Sequence, residues 1–373
     1  MTASGPSHPL VVVHLSRPDE LMRTHEAAAI ERLARTVASL TRGEYGGLRA
    51  AGRDEAPPVP AYVVPDDVLL ADAARDLGIA RPEDLYGGVV PHPFLRTKIV
   101  VHPLVEDAAL RPEGWPAEFP ERVARVVLPG FSVFSAEDAR RAFDALRLLA
   151  PVRLKPPQSA AGRGQRVVDD AGELEAFVDA LGIGPLREHG LVLETHLDQV
   201  QTWSVGQVRA AGTTVSYYGR QRTTRDNHGG ICYGGSDLTV VRGGWDALDG
   251  CPLTDELRRA VGQARQYDDV LMTWPGVLAS RRNYDVAQGV DGRGERRSGI
   301  LEHSCRAGGA SAAEIAAIRV FCTEPARTVV RASTFEVYGH DAEPPAGASI
   351  IFRGHDPNLG PFLQYTTVSE GDG

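Results

Sequence analysis

Hydrophobic and polar positions along the chain repeat at two spacings, and the alternation of the two predicts an α/β protein. The apolar run Leu10–Leu15 reads as a short buried strand. Residues 16–19 read as a turn, and a helix to about Leu40 follows, with Ile30, Leu33, Val37 and Leu40 on one stripe. Residues 51–60 are rich in Pro, Gly and charge and read as a loop, and residues 61–64 as a second strand. Asp66 or Asp67 is placed to cap the next helix, which buries Leu70, Ala73 and Leu77 and stops at Gly78. Strand–helix–strand–helix in this order predicts a small parallel α/β lobe.

The pattern continues past a polar, proline-containing crossing at residues 106–121. Residues 126–134 are strand-like, and Ser135 opens a helix with Ser-x-x-Asp capping through Asp138 and a buried side of Phe143, Leu146 and Leu149. A helix over residues 172–181 and a buried strand at residues 191–194 follow. From Trp203 to Val241 the period is 2, with Gly- and Asn-containing turns, which predicts a run of β-strands. A helix over residues 254–274 is stopped by Pro275-Gly276. Strands at 283–288 and 299–304 flank a turn-rich segment. A helix follows Ser311, whose Ser-x-x-Glu to Glu314 reads as a second capping box. The last fifty residues carry strand-like runs at 328–338 and 349–353 and then a Gly/Pro-rich tail.

Composition narrows the function. A chain of 373 residues, 42% hydrophobic and 24% charged, suits a globular protein of two or three lobes. A formal charge of −9 argues against nucleic acid as a main partner but is compatible with an arginine-lined pocket for an anion. No stretch approaches a membrane span, and residues 10–15 lack the basic flank of a signal peptide. The four cysteines show no CxxC spacing, so neither a zinc site nor a disulfide framework is expected, and a cytoplasmic protein with free thiols is.

Two stretches carry candidate chemistry. In VRLKPPQSAAGRGQ, residues 152–165, Lys155 at a strand end precedes a small-residue loop ending in Gly162-Arg163-Gly164. An ammonium beside glycines that let backbone N–H groups approach closely is a phosphate-binding arrangement. Of 40 Lys and Arg residues only Lys98 and Lys155 are lysine, so a chain that prefers arginine keeps a compact ammonium at this position. The second stretch is the hairpin 283–304. Glu302 and Ser304 share one face of a strand. A symmetric turn at Arg293-Gly294 places Asp285 directly opposite Glu302, with Cβ atoms about 4.5–5.5 Å apart. Like charges so placed cost stability. Either a divalent cation such as Mg²⁺, carrying phosphates, removes that cost, or Arg296 or Arg297 neutralises a solvated hairpin. His92 and His102 each precede a proline and read as loop residues without chemistry, and Cys305 as a small buried residue. There is no GxxxxGK[ST], GxSxG or HExxH, and Gly162-x-Gly164 lacks the third glycine of a dinucleotide fingerprint.

With these pieces in order, the chain resembles the ATP-grasp superfamily of ATP-dependent ligases over roughly residues 98–321. DLYGGVVPHPFLRTK, YGRQRTTRDNHGGICYGGSDL and LEHSCRAGGASAAEIAA resemble more closely an uncharacterised bacterial family of ATP-grasp-like proteins. The resemblance implies an ATP-grasp fold, α/β (α+β), in which two lobes clamp ATP. It divides the chain into an N-terminal lobe (1–97), the nucleotide-binding and catalytic region (98–325) and a C-terminal β extension and tail (326–373). It implies ATP and Mg²⁺. Lys98 and Lys155 correspond to the two nucleotide lysines, and Ser159, Gly162 and Gly164 to the loop over the phosphates. Glu194 and Leu197 correspond to the adenine hinge, and Asp285 and Glu302 to the metal carboxylates. Arg306 corresponds to an arginine facing the transferring phosphate or the carboxylate substrate. Two positions depart from the pattern. Ser304 stands where the family carries a metal-binding asparagine, and the ribose acid is replaced around Gln201-Thr202, with Asp198 as the substitute.

The expected function is a carboxylate–amine (or thiol) ligase working through an acyl phosphate on small-molecule substrates. A small-molecule kinase and an ATP-binding module without turnover are the alternatives. Arg220, Arg222, Arg225, Asn227 and His228 face the phosphates or substrate by the same resemblance. The acceptor stays open, as does the oligomeric state, with a homodimer as one option.

Overall fold

The computed structural model describes residues 10–52, 54, 60–158, 164–340 and 343–369. Among these residues the strands form four sheets. In the first, β1 (Leu10–Leu15), β2 (Glu44–Ala50) and β3 (Ala61–Pro65) run parallel in the order β2-β1-β3. Val11, Val12 and Val13 at its centre are fully buried, as a parallel strand covered on both faces requires. The helix His25–Thr41 starts at Thr24, whose side chain accepts from Ala27 N, and buries Ile30, Leu33 and Val37. The edge strand β2 has no apolar run to announce it. Gly46 lets it approach β1, since a Cβ there would lie 2.7 Å from Leu10 Cδ1.

Asp66 does not cap a helix. Its carboxylate accepts from Ser16 N at 2.8 Å, Ser16 Oγ at 3.0 Å and Arg17 N at 3.3 Å, and so pins the loop leaving β1. The residues after it, β4 (Leu69–Leu70), instead pair with β5 (Gly88–Val90), and the helix Ala71–Asp76 starts without a side-chain cap.

The next lobe is an antiparallel sheet of β6 (Gly130–Val133), β7 (Val152–Lys155), β8 (Arg166–Val168) and β9 (Leu191–Thr195), in the order β6-β9-β7-β8. The helices Ala136–Leu146 and Ala171–Leu181 supply Phe143, Leu146, Leu174 and Val178 to its core. Ser135 caps the first through Asp138 N, as expected, but Leu149 lies beyond the last turn and is exposed. The expected polar crossing ends in a helix, Glu118–Val123, that buries Phe119 and Val123.

The largest sheet contains β10 (Asp198–Ala210), β11 (Thr213–Arg225), β12 (Ile231–Arg242), β14 (Arg281–Val290) and β15 (Arg296–Ser304), while β13 (Leu278–Ala279) joins β5. It continues through β16 (Val329–Tyr338), β17 (Ser349–Asp356) and β18 (Gly360–Ser369), giving the order β15-β14-β10-β11-β12-β16-β18-β17. The expected Gly/Pro-rich tail is therefore mostly strand: past Gly360-Pro361, Phe362, Leu363 and Tyr365 are buried. The helix Asp255–Met272 covers one face, packing on Val205, Tyr284, Val286 and Ile300. The helix Ser311–Thr323 covers the other and packs with the helix His25–Thr41, which joins the N-terminal lobe to the sheet through one core. Glu314 forms no capping box: the N-cap is Ala310, without a side-chain hydrogen bond, and Glu314 points into the core. No helix among the described residues is long and apolar enough to cross a membrane.

Candidate active site

A cavity of about 1050 Å³ opens between the four-stranded lobe and the large sheet. Lys155 enters it from the end of β7 and is almost fully buried. Its Nζ donates to Glu194 Oε2 at 3.0 Å and to the carbonyl of Leu301 at 3.1 Å. Glu194, on the neighbouring strand β9, also meets His102 Nε2 at 3.3 Å. Burial pushes the Glu194 carboxyl up, but the Lys155 ammonium and the His102 hydrogen bond outweigh it and hold it down at about 2. Burial lowers the His102 pKa in turn. His102, read from sequence as a loop histidine, thus belongs to the support of the candidate hinge acid. Its proline neighbour obscured that role.

The depressed Glu194 carboxyl gives a pH dependence with a definite sign. The stabilisation it supplies is complete above the ordinary carboxyl value near 4.5 and is lost as pH falls from there toward 2. Unfolding free energies of the wild type should drop across that window by on the order of 3 kcal/mol from this group. The profile of Glu194→Gln should be flatter there, and an equal loss of unfolding free energy between pH 5 and pH 3 in wild type and variant would refute the assignment.

The acid pair forms, by a route different from the symmetric turn. The turn is centred on Arg293, half a residue earlier, so Val290 pairs with Arg296 and Val286 with Ile300. A bulge at Leu301 then restores the pairing of Asp285 with Glu302. The extra residue is the one whose carbonyl receives Lys155. Glu302 is neutralised by neither hairpin arginine: Arg297 pairs with Asp291 and Glu295, and Arg296 approaches Glu256. Its partner is Lys98 Nζ at 2.8 Å, from the single turn Lys98–Val101. Burial raises the Glu302 pKa, but Lys98, with Lys155 and Arg306 behind it, brings it below the ordinary value. Asp285 moves the other way, raised by burial and by the Glu302 charge to about 6, although Gln221 Nε2 and Asn283 Nδ2 each donate to it at 2.8 Å.

The side chains that hold these groups gave no sequence signal. Arg281 is buried. It donates to Glu314 through Nη2 at 2.8 Å and Nε at 3.2 Å, and through Nη1 to the carbonyl of Arg306 at 2.6 Å. The same Nη1 reaches the Ser304 carbonyl at 3.2 Å and its hydroxyl at 3.3 Å. Tyr86 and Tyr217 donate to Glu314, and the Tyr217 hydroxyl also lies 2.9 Å from Asn283 Oδ1. A continuous polar network therefore ties Asp285, Ser304 and Arg306 to the helix Ser311–Thr323. Only its arrangement in three dimensions reveals it, because its members come from separate segments, up to 228 residues apart for Tyr86 and Glu314.

The remaining candidates divide. Leu197 is buried against Leu128 and Ala287 on the cavity wall. Arg306 lines the cavity, with Nη1 on the Ala307 carbonyl and Nε 3.9 Å from Asp67. Asp198 is 74% exposed, pairs with His196 at 3.5 Å and is not among the lining residues, where Gln201 and Thr202 stand instead. Arg220 and Arg222 reach the cavity, whereas Arg225 bonds the Gly229 carbonyl and Asn227 the carbonyls of Leu359 and Pro361. Gly164 occupies a turn with φ of 67°, and Ser159 and Gly162 lie outside the described residues. Cys305 is buried, and burial pushes its thiol up to about 11, which suits packing and not nucleophilic attack.

The pair Asp285/Glu302 fits a divalent cation. Asp285 is a half-buried carboxylate whose pKa is raised by desolvation and by the Glu302 charge opposite, a repulsion that a cation between the two would relieve. Among the described residues no cluster of three or more His, Cys, Asp or Glu could hold a metal. An ion here would complete its shell with other oxygens, as Mg²⁺ does with phosphates.

Residues 11–366 match the family described as "Protein of unknown function (DUF3182)". The chain belongs to this family. A comparison with curated proteins finds no match. Solved structures align with the DUF3182 chain over nearly its whole length. Phosphoribosylamine–glycine ligase from Thermotoga maritima aligns at TM-score 0.55 and 13% identity, covering 96% of this chain and 92% of that one. Carboxyaminoimidazole ribonucleotide synthase from Aspergillus clavatus, complexed with ATP, aligns at TM-score 0.53 and 10% identity, covering 97% and 94%. The biotin carboxylase domain of the Hydrogenobacter thermophilus 2-oxoglutarate carboxylase, in complex with MgADP, ADP and bicarbonate, aligns at TM-score 0.52 and 11% identity, covering 95% and 85%. At such identities the likeness establishes architecture: the DUF3182 chain has the ATP-grasp fold.

Proposed function

We propose that the protein is an ATP- and Mg²⁺-dependent ligase that joins a small-molecule carboxylate to an amine or thiol through an acyl phosphate. One observation carries the reading. The chain's two lysines, far apart in sequence, converge on the consecutive residues Leu301 and Glu302, with Asp285 directly across the ladder, in one cavity. Three positive groups, Lys98, Lys155 and Arg306, then surround the place where phosphate charge develops. Leu197 with Leu128 and Ala287 supplies an apolar wall for the adenine, in the cavity that Glu194 also lines. Asp198, turned to solvent, is a poor ribose ligand, and Gln201 and Thr202 take that place. Mg²⁺ held by Asp285 and Glu302 would supply charge neutralisation of the ATP phosphates. Asn283, directly across from Ser304, brings an amide to the acid pair where the resembling enzymes place one two residues after the glutamate.

In the reaction a carboxylate oxygen attacks the γ-phosphorus and ADP departs with the bonding pair. The amine nitrogen then attacks the acyl carbon, phosphate leaves, and the nitrogen gives up a proton. Hydroxylamine in place of the amine should convert the intermediate to a hydroxamate, detected by its ferric complex, with one ADP per hydroxamate. ADP release without hydroxamate across a broad carboxylate screen would reject the ligase, and a stable phosphorylated product would assign a small-molecule kinase. One observation favours a module without turnover: the Ser304 hydroxyl already accepts from Arg281. Thermal stabilisation by MgADP, unaccompanied by turnover of any substrate, would establish that reading.

A further inference from the structure

The cavity runs past Arg306 to a wall that the nucleotide groups do not explain, where the helix His25–Thr41 meets the C-terminal strands. Thr24 caps that helix and sets His25 in its first turn. The His25 main-chain N–H donates to Asp356 Oδ2 at 2.7 Å, and the ring nitrogen Nδ1 lies 2.8 Å from the same oxygen. Asp356, at the end of β17, is fully buried, and its Oδ1 accepts from Asn358 N at 2.8 Å and Leu359 N at 3.0 Å. Burial raises the Asp356 pKa, but the hydrogen bonds from His25 and Asn358 hold it below the ordinary value, so the group is a carboxylate. A carboxylate only accepts. Nδ1 therefore carries the hydrogen, and in the uncharged ring Nε2 presents a lone pair.

The Phe352 and Phe362 rings, with centroids 6.4 and 4.6 Å away, pack on the imidazole. His25 lines the cavity, its side chain is 14% exposed, and Nε2 has no partner among the described residues. A latch between the helix and β17 would not need the ring, because the main-chain bond to Asp356 already makes that tie. An imidazole oriented by a buried carboxylate, with its second nitrogen open to a cavity, is the arrangement of a general base. Since no protein hydroxyl or thiol among the described residues meets Nε2, the group it would deprotonate is one that a substrate brings. Glu26, next along the helix and exposed, adds negative charge to the same wall, which favours the approach of an ammonium.

We propose that His25, held by Asp356, is the general base that frees the acceptor amine for attack on the acyl phosphate. The inference rests on the ligase reading and deepens it. The amine arrives as an ammonium, and Nε2 takes one of its protons. The nitrogen lone pair then forms the bond to the acyl carbon, and the carbon–oxygen bond to phosphate breaks with its electron pair on the phosphate oxygen. The extra proton of the adduct passes to the departing phosphate. The imidazolium, opposed by Asp356, returns its own proton to water.

Two small nucleophiles test this on the full chain, with a carboxylate that yields hydroxamate. Hydroxylamine is largely uncharged at neutral pH and needs no proton removed before it attacks, whereas ammonia is almost wholly ammonium. His25→Gln should lower primary-amide formation from ammonium chloride roughly 10²–10³-fold more than it lowers hydroxamate formation. Added imidazole should restore amide formation in His25→Ala, which a purely structural role would not allow. His25→Gln carries the comparison if His25→Ala does not fold. An equal fall with both nucleophiles, no rescue by imidazole in folded His25→Ala, or no primary amide from wild type overturns the assignment. Absence of hydroxamate with every carboxylate would overturn the ligase reading instead, so the two failures are distinguishable.

Discussion

Lys155→Ala should both lose nucleotide-induced stabilisation and unfold about 3–5 kcal/mol more easily than wild type. The two losses have different origins. The ammonium is buried, and its removal leaves the Glu194 carboxylate, itself buried, with His102 as its remaining polar partner. An uncompensated buried charge is far more costly than the pair is favourable. A single alanine variant therefore confounds stability with binding. Lys155→Met combined with Glu194→Gln removes both charges and should recover most of the stability in urea melts. The MgADP shift should stay absent, because the charge proposed to face the phosphates is gone. A full shift in the double variant would remove Lys155 from the nucleotide site.

Glu302→Gln should have the largest effect on turnover, a fall of roughly 10²–10³-fold, typical of removing one preorganised electrostatic group. The amide keeps an oxygen for Lys98, which lies 2.8 Å from the carboxylate, so the fold around it should persist. Asp285, relieved of the like charge opposite, should ionise more readily. What is lost is the second negative oxygen donor proposed for the cation. ADP release against Mg²⁺ concentration should show the half-saturating metal concentration raised as well as the plateau lowered. A variant with wild-type plateau and metal dependence would exclude Glu302 from the metal site.

Much of this site was legible before any coordinates, for identifiable reasons. Lys155 sits at a strand end before glycines, and the acid pair lies in a hairpin whose two strands are adjacent in sequence, so local spacing constrains both. The bulge at Leu301 was not legible, because nothing in the turn sequence distinguishes a centre at Arg293 from one between Arg293 and Gly294. Asp66 (or Asp67) and Glu314 both fit helix caps on local pattern, and tertiary partners claim Asp66 and Glu314: Ser16 and Arg17 for one, Arg281 and two tyrosines for the other. Local capping chemistry is worth about 1 kcal/mol, less than burying an acid without hydrogen-bond donors or a countercharge costs, so the long-range contact wins. Gln221 and Asn283 escaped notice because a neutral amide on a strand carries no signal until the strand beside it is known. The C-terminal strands were only partly read, since Gly360-Pro361 resembles a tail until β18 pairs with β16.

The bulge has a consequence for how position 301 stores information. The lysine there is met by a main-chain oxygen that any amino acid would offer, so this contact asks nothing of the side chain at 301, which packs separately against Leu128, Leu197 and Ala287. The count of residues between 285 and 302 is not free. Losing one residue from that span would leave the composition of the hairpin almost intact and would slide one carboxylate off the other's face. At this position the chain encodes chemistry as a number, not as a letter.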